Sequence, residues 1–204
     1  MSRRLYAAVL GLTVLAHASM ANAGHHQWII SELFSNADGT VQFVELLGTA
    51  INEQNINGFN VTTAGTIVTS VPIGPNLPSG ATAGAYLLIG TAGYAALALA
   101  QGAPAPDRVL PDDFLQVAAD TVRYAGIAAT DVAYTNLPIN GIDSLDLEDL
   151  SGTVNTPENF AGATGSIDAS PQVPALGALA SVLLAAGLLG IGGYFALRRR
   201  PGTA

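Results

Sequence analysis

Glu32 and Glu45 lie on either side of Asn36-Ala37-Asp38-Gly39, a strong hairpin signal between two alternating apolar runs. With Asp38-Gly39 as a two-residue turn, Glu32 sits opposite Glu45 and Phe34 opposite Phe43. A four-residue loop would shift the pairing by two and still leave both glutamates on one face. Opposed like charges destabilise a strand pair unless a cation, a shared proton or loop amides compensate. The favoured reading has each glutamate capping loop backbone, because a bare buried charge is costly and an amide-bonded carboxylate is not. A divalent-metal site is the alternative. A glycosidase-like carboxylate pair is the third reading, although no aromatic platform or substrate cleft is evident beside it.

Two other groups could hold a metal. Asp143, Asp146, Glu148 and Asp149 crowd four carboxylates into residues 143–149, and calcium takes six to eight oxygens. The spacing of a calcium loop is absent. Asp146 and Glu148 alternate with Leu145 and Leu147, as on an exposed strand face. The other group, Gly24-His25-His26, becomes the N-terminus if the chain is cut after Ala23. A free amine, two amide nitrogens and the imidazole of His26 would then suit Cu(II) or Ni(II). His17 would be lost in that cut, and no G-x-S-x-G elbow, phosphate loop or H-E-x-x-H is present.

The two ends of the chain decide where such residues would work. Arg3 and Arg4 precede an apolar run at 5–16, and Ala21-Asn22-Ala23 is an A-x-A cleavage site. Residues 1–23 therefore read as a signal helix that is removed before Gly24. At the other end, residues 178–197 are almost unbroken in apolarity and Arg198, Arg199 and Arg200 follow. About 20 apolar residues can cross a bilayer as a helix, and the arginines mark the cytoplasmic side. We expect a transmembrane helix at 176–197, preceded by a linker at 162–172.

Between the ends the chain is strongly acidic. All fifteen carboxylates lie from Glu32 to Asp168, against Arg108 and Arg123 alone, and there is no lysine. Such a body repels phosphate backbones, which excludes nucleic-acid binding. No cysteine is present, so neither disulfides nor thiolate chemistry contribute.

The body at 24–161 is long enough for one domain, and strand signals dominate it. Expected strands are 28–34, 41–47, 59–63, 66–71, 85–89, 117–124, 131–134 and 144–147, with one short helix at 91–100 ended by Gly102. Many short strands and one helix point to a mainly β, two-sheet sandwich. Asp107, Asp112 and Asp113 sit among Pro104, Pro106 and Pro111. That stretch reads as a surface loop able to carry an extra binding surface.

Several pieces, in order, resemble a known family. Ile29-Ile30-Ser31-Glu32-Leu33 and Phe43-Val44-Glu45-Leu46 resemble the opening hairpin of the lamin-tail-like domain. Asn57-Gly58-Phe59 stands where that family has a tryptophan strand, here with phenylalanine. Leu77-Pro78-Ser79-Gly80 with Ala85-Tyr86-Leu87-Leu88-Ile89 is similar to the family's central element. Gly141-Ile142-Asp143-Ser144-Leu145 with Leu147, Asp149, Gly152 and Val154 resembles its late hairpin. The resemblance implies an immunoglobulin-like β-sandwich used for binding and display, with no catalytic residues. The stretch 101–113 departs from the family pattern.

The tail has a resemblance of its own. Val173-Pro174-Ala175-Leu176-Gly177, an apolar helix and a basic end resemble the C-terminal sorting signals of Gram-negative bacteria, of the I-P-T-L and V-P-E-P types. That resemblance implies a precursor held in the inner membrane, cut by a sortase-like enzyme and passed to the cell surface or medium. The combined expectation is an exported, non-enzymatic envelope or matrix protein with a surface partner. A calcium- or copper-binding envelope protein is the alternative, and a carboxylate-dependent hydrolase is less favoured.

Overall fold

The computed structural model describes residues 27–124, 131–147 and 151–171. Ala21, Ala23, Gly24, His25, His26 and Asp149 lie outside the described residues. So does all of 173–204, with the sorting motif and Arg198, Arg199 and Arg200.

The chain is mainly β. In order it forms β1 (Trp28–Ser35), β2 (Gln42–Gly48), β3 (Asn60–Thr63), β4 (Ser70–Pro72), β5 (Tyr86–Thr91) and α1 (Ala92–Gln101). It continues with β6 (Arg108–Leu110), β7 (Ala118–Tyr124), β8 (Val132–Asn136), β9 (Asp143–Asp146) and β10 (Ser151–Val154). One sheet runs β10-β9-β1-β2-β5-β6 and the other β4-β3-β7-β8. Trp28, Leu33, Val44, Leu46 and Ile89 of the first sheet share one buried cluster with Val61, Val122 and Tyr124 of the second. The two sheets thus close on a common core, as in a sandwich.

The β1–β2 hairpin takes the expected register, with Glu32 opposite Glu45 and Phe34 opposite Phe43. The connection is longer than a two-residue turn, since Asn36 N–H bonds the Val41 carbonyl and Gly39 N–H returns to Asn36. Gly39 supplies the positive φ of 71° that this turn needs. The register shifts between Ile30 and Glu32, which leaves Ser31 as a β-bulge. The bulge decides where Glu32 points. Trp28 and Ile30 face the shared core, so strict alternation would send Glu32 there as well. The extra residue turns Glu32 to the opposite face and leaves Leu33 on the core.

Deletion of Ser31 is therefore expected to restore plain alternation and to cost about 2–4 kcal/mol, since it removes both the hydrogen bond to Glu45 and the carbonyl that accepts Leu147 N–H. Deletion of Val44, which turns Glu45 into the core, is expected to unfold the protein. Urea denaturation of the two deletion variants checks this.

The helix runs one residue later than the expected 91–100 and stops, as expected, at Gly102. Thr91 caps the N-terminus by accepting from Tyr94 N–H, and Gly102 takes the left-handed C-terminal position at φ 73°. α1 links β5 to β6, which pair in parallel. The surface loop expected near Asp107, Asp112 and Asp113 thus contains an edge strand, with Leu110 buried. β4 is shorter than expected, because Ile67 and Val68 lie exposed in the turn before it.

A second apolar cluster covers the other face of the large sheet. Phe34, Phe43 and Leu88 pack there against Tyr94 and Ala98 of α1 and against Ile167. The Phe34 and Phe43 rings stack at 5.2 Å, and Tyr94 meets Phe43 edge-on at 5.4 Å. Ile167 corrects the linker expected at 162–172. It is 3 % exposed, and residues 162–170 run back over the body. The composition there is polar and small, yet one isoleucine and an asparagine partner suffice to seat the segment.

Three side-chain amides fasten distant backbone by reading both the N–H and the C=O of one residue. Gln42 holds Leu115 (Nε2 to O at 2.8 Å, N to Oε1 at 3.0 Å). Asn155 holds Ile167, with both bonds at 2.8 Å. Gln101 holds Asp168 at 2.9 and 2.8 Å.

Candidate functional site

The face of the large sheet turned away from the shared core carries the carboxylates. On β2, Phe43, Glu45 and Leu47 alternate with core-facing Val44 and Leu46, and the Ser31 bulge sets Glu32 beside Glu45. Asp146 of β9 pairs with Glu32 from the other side. A cavity of about 440 Å³ opens there, lined by these three carboxylates with Tyr86 of β5, Ile29, Leu47 and Thr156. A neighbouring hollow shares Glu45, Tyr86 and Thr156 and adds Glu158 and Ser166.

An extended segment, Asn155-Thr156-Pro157-Glu158-Asn159-Phe160, crosses this face as a strap. Three alternate N–H groups of the strap each meet a carboxylate. Thr156 N–H donates to Glu32 Oε1 at 3.0 Å, Glu158 N–H to Glu45 Oε2 at 2.7 Å, and Phe160 N–H to Asp107 Oδ2 at 2.9 Å. Residues two apart in an extended chain present the same side, so a row of acceptors can hold such a row of donors. Pro157 suits its place, because it keeps Thr156 extended and adds no N–H of its own. The remaining oxygens of the two glutamates are also engaged, and Asp107 uses one oxygen twice. Ser31 Oγ donates to Glu45 Oε1 at 2.7 Å, Thr156 Oγ1 lies 3.4 Å from Glu32 Oε2, and Asp107 Oδ2 also accepts from Leu88 N–H.

Burial controls the charge of the pair. It pushes the Glu45 carboxyl up to about 8, against the hydrogen bonds from Ser31 and Glu158 and with the help of the Glu32 and Glu158 charges. Burial also raises Glu32, with a smaller contribution from Asp146. Tyr86 is raised by burial and then by the carboxylates Glu45, Glu158, Asp146 and Glu32. The strap amides and the Ser31 hydroxyl donate into the pair and ease the conflict between opposed glutamates.

The capping arrangement is the favoured sequence reading of Glu32 and Glu45. Asp146 departs from its expected solvated strand face, since it is half-buried on the cavity wall. Asp143 does not join it. Its carboxylate accepts from Asn140 Nδ2 at 2.7 Å, and its N–H bonds Asn140 Oδ1. Among the described residues no group of three or more His, Asp or Glu side chains is arranged to hold a metal ion. Sequence reasoning did not find Ser31, Tyr86, Asp107, Thr156 or Glu158 as parts of the site. Thr156 stands 124 residues from Glu32, and no local pattern marks such a partner.

The fold and the site together define a two-sheet, mainly β protein whose outer-face carboxylates clip down its own C-terminal strap. No protein-family model, curated protein or solved structure matches this chain.

Proposed function

We propose that this chain is an exported, non-enzymatic binding or structural protein of the bacterial envelope or matrix. In this reading the body is a lamin-tail-like, immunoglobulin-like β-sandwich. Residues 1–23 direct export, and the segment 173–204 anchors a precursor in the inner membrane until a sortase-like enzyme cuts it. The body then reaches the cell surface or the medium and meets its partner there.

One observation carries the non-enzymatic part. Glu32 and Glu45, the best-placed carboxylates for acid–base work, accept backbone N–H groups of the strap. A carboxylate committed to its own chain supports the body and does not await a substrate. The residue types fit the same reading. The acidic surface disfavours nucleic acid, and the sequence lacks cysteine nucleophiles.

Intact mass of the protein in each cell fraction of its native host tests the proposal. The expected species starts at Gly24, ends within Val173 to Gly177, and is found on the outer surface or in the medium. A species that keeps Arg198 to Ala204 in the inner membrane overturns tail processing, and one that keeps Met1 overturns signal removal.

A further inference from the structure

The cluster under the strap has an unusual charge balance. Glu32 on β1 faces Glu45 on β2, Asp146 faces Glu32 from β9, and Glu158 comes from the strap itself. Tyr86 of β5 and Tyr94 of α1 are the other titratable groups that feel these charges. The described residues contain two cations, Arg108 and Arg123, and neither is spent here. Arg108 donates to the carbonyls of Ile73, Asp107 and Pro75, and Arg123 forks onto Asp131. Strap amides and the Ser31 hydroxyl compensate in part, and with no cation from the described residues a proton can supply the rest.

We propose that the strap is a proton-dependent latch: a proton held on Glu45, beneath the strap and beside Glu32, keeps residues 155–170 seated, and its loss at alkaline pH releases them from the Phe34–Phe43–Leu88 face. Release withdraws Ile167 from its pocket beside Tyr94 and uncovers the aromatic face. The latch needs neither export nor tail cleavage. Its use, to set how much free chain precedes the sorting segment at 173–204, rests on the reading above.

The sign follows from linkage. The seated strap buries Glu45, whose affinity for a proton then lies near pH 8, above the 4.5 of a solvated glutamate. The closed form therefore binds more protons than the open one between these two values. Its advantage is complete below the lower value and is lost as pH rises through the upper one. The hydrogen bonds from Ser31 and Glu158 oppose this trend, because they favour the ionised carboxylate.

Amide hydrogen exchange on the full chain in neutral detergent at pH 6 and pH 9 tests the latch, with rates corrected for the chemical exchange of unstructured peptide. The Glu158, Phe160 and Ile167 amides are expected to open about tenfold or more at the higher pH, while Val44 and Leu46 keep their protection. Glu45→Gln keeps an acceptor for Glu158 N–H and a donor for Ser31, and is expected to abolish the rise. Unchanged strap protection, an equal rise at Val44 and Leu46, or a rise that survives in Glu45→Gln overturns the proposal. The wild-type comparison decides by itself if the variant fails to fold.

Discussion

A chain that ends at Ala161 is expected to be far less stable than one that ends at Ser170. Residues 162–170 look dispensable by composition, yet they bring Ile167 to 3 % exposure against Phe34, Phe43 and Leu88. Removing them strips Asn155 of both its bonds to Ile167 and leaves that buried amide with the Ile142 carbonyl alone. Lost burial of one isoleucine is worth about 2 kcal/mol. A buried amide deprived of partners adds about 2 kcal/mol. Urea unfolding of the two chains should show a midpoint lower by about 2 M in the shorter one, given the usual dependence of stability on urea. Equal midpoints would show that the segment is the plain linker its composition suggests.

The second large effect is expected at Gln42. Its side chain is fully buried and makes three bonds, two to the backbone of Leu115 and one from Nε2 to Ser35 Oγ at 3.0 Å. Gln42→Ala leaves the N–H and C=O of Leu115 without partners inside the protein and opens a cavity beside them. Each orphaned group is worth about 1–3 kcal/mol, so a loss of about 4 kcal/mol is expected in urea. Gln42→Glu is a useful contrast. It retains the acceptor for Leu115 N–H but cannot donate to Leu115 O while ionised, so its deficit should grow as pH rises. A fully stable Gln42→Ala would show that Leu115 finds other partners.

The residues of the hairpin were legible because turn chemistry and alternation act locally. The turn signal at 36–39 centred the hairpin, and although the connection is longer than a two-residue turn the register still sets Glu32 opposite Glu45. Gly102 marked the end of the helix for the same reason, since capping depends on near neighbours, whereas Thr91 was read as its first residue and proved to be its cap. The rest of the site was not legible, because its partners are brought together by the fold. Nothing near Asp107 announces that it will take Phe160 N–H, and nothing near Glu158 announces Glu45. Ser31 was hidden for a different reason. A bulge adds one residue to an apolar–polar pattern, and the two isoleucines before Ser31 mask the skipped beat. β6 was missed because three residues between prolines read as loop until a parallel neighbour accepts them.

The amide brackets of Gln42, Asn155 and Gln101 close long loops in a protein without cysteine. Exported proteins often use a covalent bond for that task, and the bond forms only where the surroundings are oxidising. Hydrogen-bonded brackets carry no such condition. The body can reach the same fold in a reducing cytoplasm and in an oxidising exterior, and a thiol reductant should leave its melting curve unmoved. Redox state therefore cannot time the folding of this protein. Under the proposed export, any delay of folding until the chain has been threaded outward has to come from something other than disulfide formation.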